Sequence, residues 1–181
     1  DCTAAITSFP YAEGFENGIP QCWTLVDGDE DGNNWYVSTT GVVGYGGEGL
    51  CATSASYYGT ALHPDNWLIT PPITLPTTTN TINLRFYANG QDASYAAEHY
   101  GVYISTTTND TAAFTMLWEE TMNSNGGNHR VQGTWGEKNT DLSAYAGQTV
   151  YIAIRHFNVS DQFYLNIDNF SIFEILAQDI A

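Results

Sequence analysis

The chain reads as an all-β protein, a two-sheet antiparallel β-sandwich of the jelly-roll type. Apolar and polar residues alternate with the two-residue period of half-buried strands over most of its length, and few segments carry a helical period. Glycine, proline, asparagine and aspartate cluster between about ten such runs, as turns between strands require. The 181 residues suit one undivided sandwich, and a 43% hydrophobic and 14% aromatic share can fill its core.

Residues 1–12 read as a lead-in, 13–175 as the domain and 176–181 as a tail. The first candidate strands, 23–26 and 35–38, each begin on a tryptophan and flank an acidic loop. A glycine-rich stretch, Gly41 to Gly49, leads into a strand at 49–53. The strand at 67–70 stops at Pro71-Pro72, which cannot donate to a ladder and marks a sheet edge. Polar Thr77 to Asn80 precedes the run at 81–88, and further strands follow at 99–105 and 115–120. Asn123 to Asn128 reads as a loop before a strand at 134–140. Residues 141–147 suggest one helical turn or a tight connection. The last runs, 149–157 and 163–174, are rich in β-branched and aromatic residues.

Four Lys+Arg stand against 20 Asp+Glu, a formal charge of −16. Nucleic acid is excluded as a partner, because a phosphate backbone needs a basic surface. Membrane insertion is excluded too, since no stretch has the apolar length of a spanning helix. Self-repulsion at this charge weakens a compact state, and bound divalent cations would relieve it.

The acidic loop reads Asp27-Gly28-Asp29-Glu30-Asp31-Gly32-Asn33. Carboxylates at every second position, bent by a glycine, match the way loops offer oxygens to Ca²⁺. Asp27, Asp29, Asp31 and Asn33 are the candidate ligands. An EF-hand would close with Glu at position 38, which is Ser38, and its flanks would be helices. The expectation is a Ca²⁺ loop between strands, set against a plain solvated turn. Weak calcium sites suit extracellular calcium, so a secreted or cell-surface location is expected.

Cys2, Cys22 and Cys51 are an odd set, so at least one is unpaired. A Cys22–Cys51 disulfide across adjacent strands is one reading, and two small buried hydrophobes is the other. None of His63, His99, His129 and His156 has the spacing of a zinc helix. His99 and His156 are expected to satisfy local hydrogen bonds on strands. No G-x-S-x-G occurs, and a reactive cysteine would lack positive surroundings. The expectation is no enzyme. Trp23, Trp35 and Trp67 sit in strand-like motifs and read as core. Tyr57, Tyr58 and Tyr95 sit in loops and are candidate ligand-binding residues, as a carbohydrate-binding module would use them.

Several motifs in order carry a resemblance. They are Phe15-Glu16-Asn17-Gly18-Ile19-Pro20, Trp23 with the acidic loop through Trp35, and Pro64-Asp65-Asn66-Trp67-Leu68-Ile69-Thr70-Pro71. Gln91-Asp92-Ala93, Ala97 to Tyr100, Arg130 to Trp135, Arg155-His156-Phe157 and Asn166 to Asn169 continue the series. Together they resemble the cleaved-adhesin domain of gingipain proteases and surface haemagglutinins of Bacteroidota, over about residues 13–174. The resemblance implies a jelly roll of MAM or galactose-binding-like build that holds structural Ca²⁺. It implies a non-catalytic adhesin or haemagglutinin on the bacterial outer surface, with host proteins or glycans at cell surfaces as partners. It also implies a second calcium site that ties Glu16 to Asp168, joining the two ends of the domain. Asn169 stands where the family often has a second Asp. Gly14, Gly47 and Asp65 are further candidate ligands, although Asp65 equally suits a turn cap. Asp110-Thr111-Ala112 resembles a bacterial O-glycosylation sequon, or is a plain loop.

Overall fold

A computed structural model describes residues 1–122 and 135–177. The loop at 123–128, His129, the motif residues 130–134 and the last four residues of the tail lie outside the described residues. Twelve strands are described: β1 Tyr11–Glu13, β2 Thr24–Asp27, β3 Tyr36–Val37, β4 Ala52–Ala55, β5 Asn66–Ile69 and β6 Ile73–Thr74. They continue with β7 Thr81–Gly90, β8 His99–Ser105, β9 Thr115–Thr121, β10 Gly136–Asp141, β11 Thr149–His156 and β12 Tyr164–Ile175. No α-helix occurs among the described residues. The helical turn expected at 141–147 is a 3-10 turn at Ser143–Tyr145.

Two antiparallel sheets face each other. One runs β10-β7-β12-β4-β3 with β1 also on β12, and the other runs β2-β5-β11-β8-β9 with β6 also on β11. The inward faces supply the main core, including Leu68, Ile82, Leu84, Phe86, Tyr100, Ile152, Leu165 and Ile167. Trp35 packs into it at 2% exposure, and Trp23 meets Phe15 and Phe170 edge to face at 5.4 and 5.1 Å. Such contacts favour the positive ring edge over the negative face. Trp67 is buried as well, against the outer face of the second sheet with Ile69, Tyr103 and Ala153.

One edge of β12 is shared. β4 pairs with Tyr164 to Ile167, and β1 pairs with Phe170 to Ile172. Between them the β7–β12 register shifts, so that Asp168 to Ser171 spans one residue more than Tyr87 to Arg85. Asn169 there has φ 47°. Such a bulge re-aims side chains and interrupts pairing. Here it presents Asp168 in the gap between β1 and β4.

The segment before residue 13 is part of the sandwich and not a free lead-in. Ile6 bridges to Ile73, β1 joins β12, and Cys2 is disulfide-bonded to Cys22. Of the two readings left open for Cys22 and Cys51, their pairing is ruled out, and the buried-hydrophobe reading fits Cys51 alone. Cys51 is free and buried in a separate cluster with Val42 and Trp135, on the outer face of the first sheet.

Candidate functional site: acidic loops and an aromatic cleft

The acidic loop leaves β2 at Asp27 and curls back on itself. Gly32 N donates to Asp27 Oδ2 at 2.9 Å, and Asn33 N donates to Asp31 Oδ1 at 2.7 Å. Gly32 takes φ 85°, a conformation only glycine adopts without strain. Asp65, just before β5, pins the loop from outside. Its N–H donates to Asp29 Oδ1 at 3.0 Å, and its carbonyl accepts from Gly28 N at 2.7 Å. A Cβ at residue 28 would lie 2.8 Å from that carbonyl, so this close approach needs glycine.

The loop brings ligand oxygens of Asp27, Asp29 and Asp31 within 4.8 Å of one another. Calcium–oxygen bonds of about 2.3–2.6 Å would place one ion between them. Burial raises the pKa of Asp29, and the Asp31 and Asp27 carboxylates add to the rise, while the bond from Asp65 opposes it. Asp27 Oδ1 is buried with no hydrogen-bond partner. An orphaned carboxylate oxygen on a member of such a trio fits a cation, and Ca²⁺ suits an all-oxygen set with flexible geometry.

Asp65 has a different partner. Arg155 Nε meets its Oδ1 at 2.6 Å and Nη2 meets its Oδ2 at 3.1 Å. The guanidinium also lies over Phe157 and Trp67, 4.2 and 4.7 Å from their centroids. The Asp65 carboxylate is thus held by a bidentate ion pair, and its contribution to the loop comes through its backbone.

The second set is assembled from both ends of the chain. Asp168 Oδ2 accepts from Tyr45 N at 2.8 Å, and Oδ1 accepts from Asn169 N at 2.7 Å. Both Glu16 oxygens accept from Leu50 N, at 3.1 and 3.2 Å. The glycine-rich stretch thus lies across Glu16 and Asp168. A Cβ at residue 44 would sit 2.6 Å from the carbonyls of Glu48 and Leu50 and 2.7 Å from Asp168 Oδ2. Gly44 therefore lets three oxygens converge. Gly47 closes the turn with its N–H on the Gly44 carbonyl, at 3.1 Å, and Gly14 lies beside Glu16 and the Asn169 side-chain oxygen. Burial pushes the Asp168 carboxyl up to about 6 in spite of its two N–H bonds, with the Glu16 and Glu13 charges adding to the rise. This donor set of carboxylates and carbonyls also fits a hard cation.

A third arrangement escaped the sequence reading. Ser54 Oγ lies 2.7 Å from His156 Nδ1, and His156 Nε2 lies 2.6 Å from Glu98 Oε2. Glu98 Oε1 accepts from Ser56 Oγ at 2.8 Å and from Phe163 N at 2.9 Å. Asn66 Nδ2 donates to Ser54 Oγ at 3.0 Å. The order serine, histidine, acid is that of a hydrolase triad. Yet Ser54, Glu98 and His156 all have 0% exposure, and none of them lines a described cleft. The expected local partners of the histidines are cross-strand ones instead. His99 likewise bonds Thr121 and Glu119 on β9.

The aromatics divide as expected. Tyr58 and Tyr95 are 64% and 55% exposed. Tyr58 borders a cleft of about 700 Å³ lined also by Asn34, Tyr36, Gln91, Phe163 and Tyr164. Tyr57 and Tyr95 line a smaller depression of about 360 Å³ next to it, and Phe163 belongs to both. Asp110 caps the 3-10 turn that holds Thr111, its Oδ1 accepting from Ala112 N at 3.0 Å.

Comparison with known proteins decides the lineage of this arrangement. The family profile described as Cleaved Adhesin Domain matches residues 8–172. The chain belongs to the cleaved adhesin domain family. It is 43% identical over 173 residues to Gingipain R1 of Porphyromonas gingivalis, covering 89% of this chain and 10% of that protein. It is 41% identical over 175 residues to Hemagglutinin A of the same species, covering 89% of this chain and 6% of that protein. The chain thus spans about a tenth or less of the length of these two relatives. Its structure is similar to the K1 cleaved adhesin domain of Lys-gingipain from P. gingivalis W83, with TM-score 0.80 and 40% identity, covering 93% and 100% of the two chains. The β-1,4-galactotriose complex of TmCBM61 shares the fold at 13% identity, with TM-score 0.53 and 90% and 94% coverage. No helix among the described residues of this family member is long and apolar enough to cross a membrane.

Cys51 in this cleaved adhesin domain gives a simple check on the packing. Burial, and then the Asp168 charge, push its thiol up to about 12. At pH 8 only about one thiol in ten thousand would be ionised, and the thiolate is the reactive form. The native chain is expected to leave Ellman's reagent unreacted over an hour. Guanidinium should release one equivalent, and rapid labelling of the folded protein would contradict this burial.

Proposed function

We propose that the chain is a calcium-braced, non-catalytic adhesive module of a secreted or cell-surface bacterial protein. Two observations carry the calcium reading: Asp27, Asp29 and Asp31 cluster with ligand oxygens within 4.8 Å of one another, and Asp27 Oδ1 is buried without a hydrogen-bond partner. Asn33 completes the same loop. Glu16 and Asp168, with the carbonyls around Gly44, form the second candidate site, where an ion would clamp the first segment to the last strand. An ion there would stabilise the folded chain, because only folding brings these two residues together.

Two features support a non-catalytic role. The one Ser–His–Glu series among the described residues is sealed from solvent, and the acids that cluster at the surface are those suited to metal. The Cys2–Cys22 disulfide supports an oxidising compartment outside the cytosol. Kinship with Hemagglutinin A supports adhesion to host surface molecules, proteins or glycans. A carbohydrate-binding reading is favoured by one further observation, the aromatic cleft beside the acidic loop.

Chelation tests the brace. An ion that binds only the folded state stabilises it by about 2.7 kcal/mol at a hundredfold excess over Kd. For a domain of this size each kcal/mol moves Tm by about 2–4 °C. Excess EDTA is expected to lower Tm by about 5 °C or more, and added Ca²⁺ to restore it. Asp27→Asn with Asp31→Asn should remove most of that response. An unchanged melting curve, with metal removal verified by atomic spectroscopy, would remove the calcium reading.

A further inference from the structure

We propose that the cleft beside the acidic loop binds a neutral oligosaccharide, an assignment that rests on the adhesive reading above. Its floor is the outer face of the first sheet. Tyr36 pairs with Thr53, and Tyr164 pairs with Ala55. Alternation along β4 puts Thr53 and Ala55 on one face, so Tyr36, Ala55 and Tyr164 share the floor. Tyr164 and Tyr58 line the cleft with Tyr36. Phe163 stacks on Tyr164 with centroids 3.9 Å apart. The wall comes from the second half of the acidic loop, through Asn33 and Asn34, and from Ser38 and Thr40 beyond it.

The chemistry of this lining is one-sided. The chain carries 20 Asp+Glu, yet among the described residues no charged side chain lines the cleft. What the cleft offers is aromatic faces and phenol, amide and hydroxyl groups. A sugar ring presents C–H faces and an edge of hydroxyls, and these two surfaces match that lining. The aromatic face takes the C–H bonds, and the phenols and amides exchange hydrogen bonds with the hydroxyls. A net charge of −16 repels sialylated and sulfated chains, which narrows the ligand to a neutral one. The volume lies in the usual range of small-ligand clefts.

The floor is also held in place by buried hydrogen bonds on the same face. Gln91 Oε1 accepts from Asn166 Nδ2 at 3.1 Å, and Asn166 Oδ1 accepts from Thr53 Oγ1 at 2.8 Å. Gln91 Nε2 donates to the Gly41 carbonyl at 3.4 Å. Polar groups fixed this way bind without paying to be ordered. Asn33 belongs to both the wall and the candidate calcium loop, so an ion there would order one side of the cleft.

The test uses the folded chain in Ca²⁺, labelled and applied to an array of neutral, sialylated and sulfated oligosaccharides. Titration calorimetry then measures the best neutral ligand, and adhesion to erythrocytes is scored with the same preparation. Neutral oligosaccharides are expected to bind. Tyr58→Ala, at an exposed rim, should weaken binding about tenfold, and Tyr36→Phe several-fold, with Tm held within a few degrees. Met116→Ala, at an exposed position on β9 outside the cleft lining, should leave affinity within about twofold. Binding confined to acidic glycans, or weakened as much by Met116→Ala as by Tyr58→Ala, would overturn the assignment. Adhesion to erythrocytes with no glycan bound at millimolar concentration would also overturn it and leave the adhesive reading standing. Failure of both would remove both.

Discussion

His156→Ala is expected to destabilise the fold by about 3–5 kcal/mol, because it leaves two buried polar groups each short of a partner and opens a cavity. His156 and Glu98 both have 0% exposure and meet at 2.6 Å. Without the imidazole, Glu98 Oε2 and Ser54 Oγ each lose a partner in the dry centre of the sandwich. A cavity adds to the cost. The network also links the sheets, since Ser54 is on β4, His156 on β11 and Asn66 on β5. With Tm moving about 2–4 °C per kcal/mol, the variant should melt about 10 °C lower. Glu98→Gln, which keeps the shape, should cost less, about 1–3 kcal/mol. The double variant should cost less than the sum of its parts, because the two share one interaction. Equilibrium denaturation in urea checks this, and a His156→Ala loss under 1 kcal/mol would show that the network contributes little.

The same series distinguishes architecture from catalysis. Ser54→Ala removes a hydroxyl that accepts from Asn66 and meets His156. It should therefore cost stability and leave adhesion intact. The buried position explains why evidence of a triad in bond order is no evidence of turnover. A nucleophile needs a path for substrate, and a serine at 0% exposure has none.

Sequence patterns revealed what is local. The long strands were legible because alternation over seven or more residues is a strong signal, as in β7 and β11. β1 and β6 were not, because three residues after Pro10 and two after Pro72 cannot show a period. Their pairing is imposed by β12 and β11. The trio Asp27, Asp29 and Asp31 was visible for the same reason of locality. Glu16 and Asp168 come from opposite ends of the chain, and only the family resemblance suggested their meeting. Asp65 stayed open between ligand and cap because Arg155, its partner, lies on a distant strand. The network of Ser54, Glu98 and His156 depends on two strands of facing sheets and the loop before β8 coming together, and no spacing in the chain encodes it. Cysteine pairing has the same character. Cys51 precedes β4 on the outer face, whereas Cys2 reaches Cys22 because Ile6 is tied to Ile73 along the way.

Loss of that disulfide is the second large effect expected. Cys2 and Cys22 close a loop with a sequence separation of 20. The chain-entropy relation gives about 3 kcal/mol for a loop of that length. The loop contains the Ile6 bridge, β1, Phe15 and Glu16, so the bond fences the segment that carries one half of the second candidate metal site. Cys2→Ser with Cys22→Ser should lower Tm by about 6–12 °C. Part of the loss should be recoverable by Ca²⁺, because an ion between Glu16 and Asp168 would restrain the same segment by another route. The stabilisation by calcium should be smaller in the variant at low metal than in the parent, because a segment free to swing must be ordered again before Glu16 can bind, which weakens the apparent Kd. Calorimetric melts of both proteins across a calcium series read this directly. Parallel shifts in the two proteins would mean that the disulfide and the ion act independently, with the bond bracing the Phe15–Trp23–Phe170 packing alone.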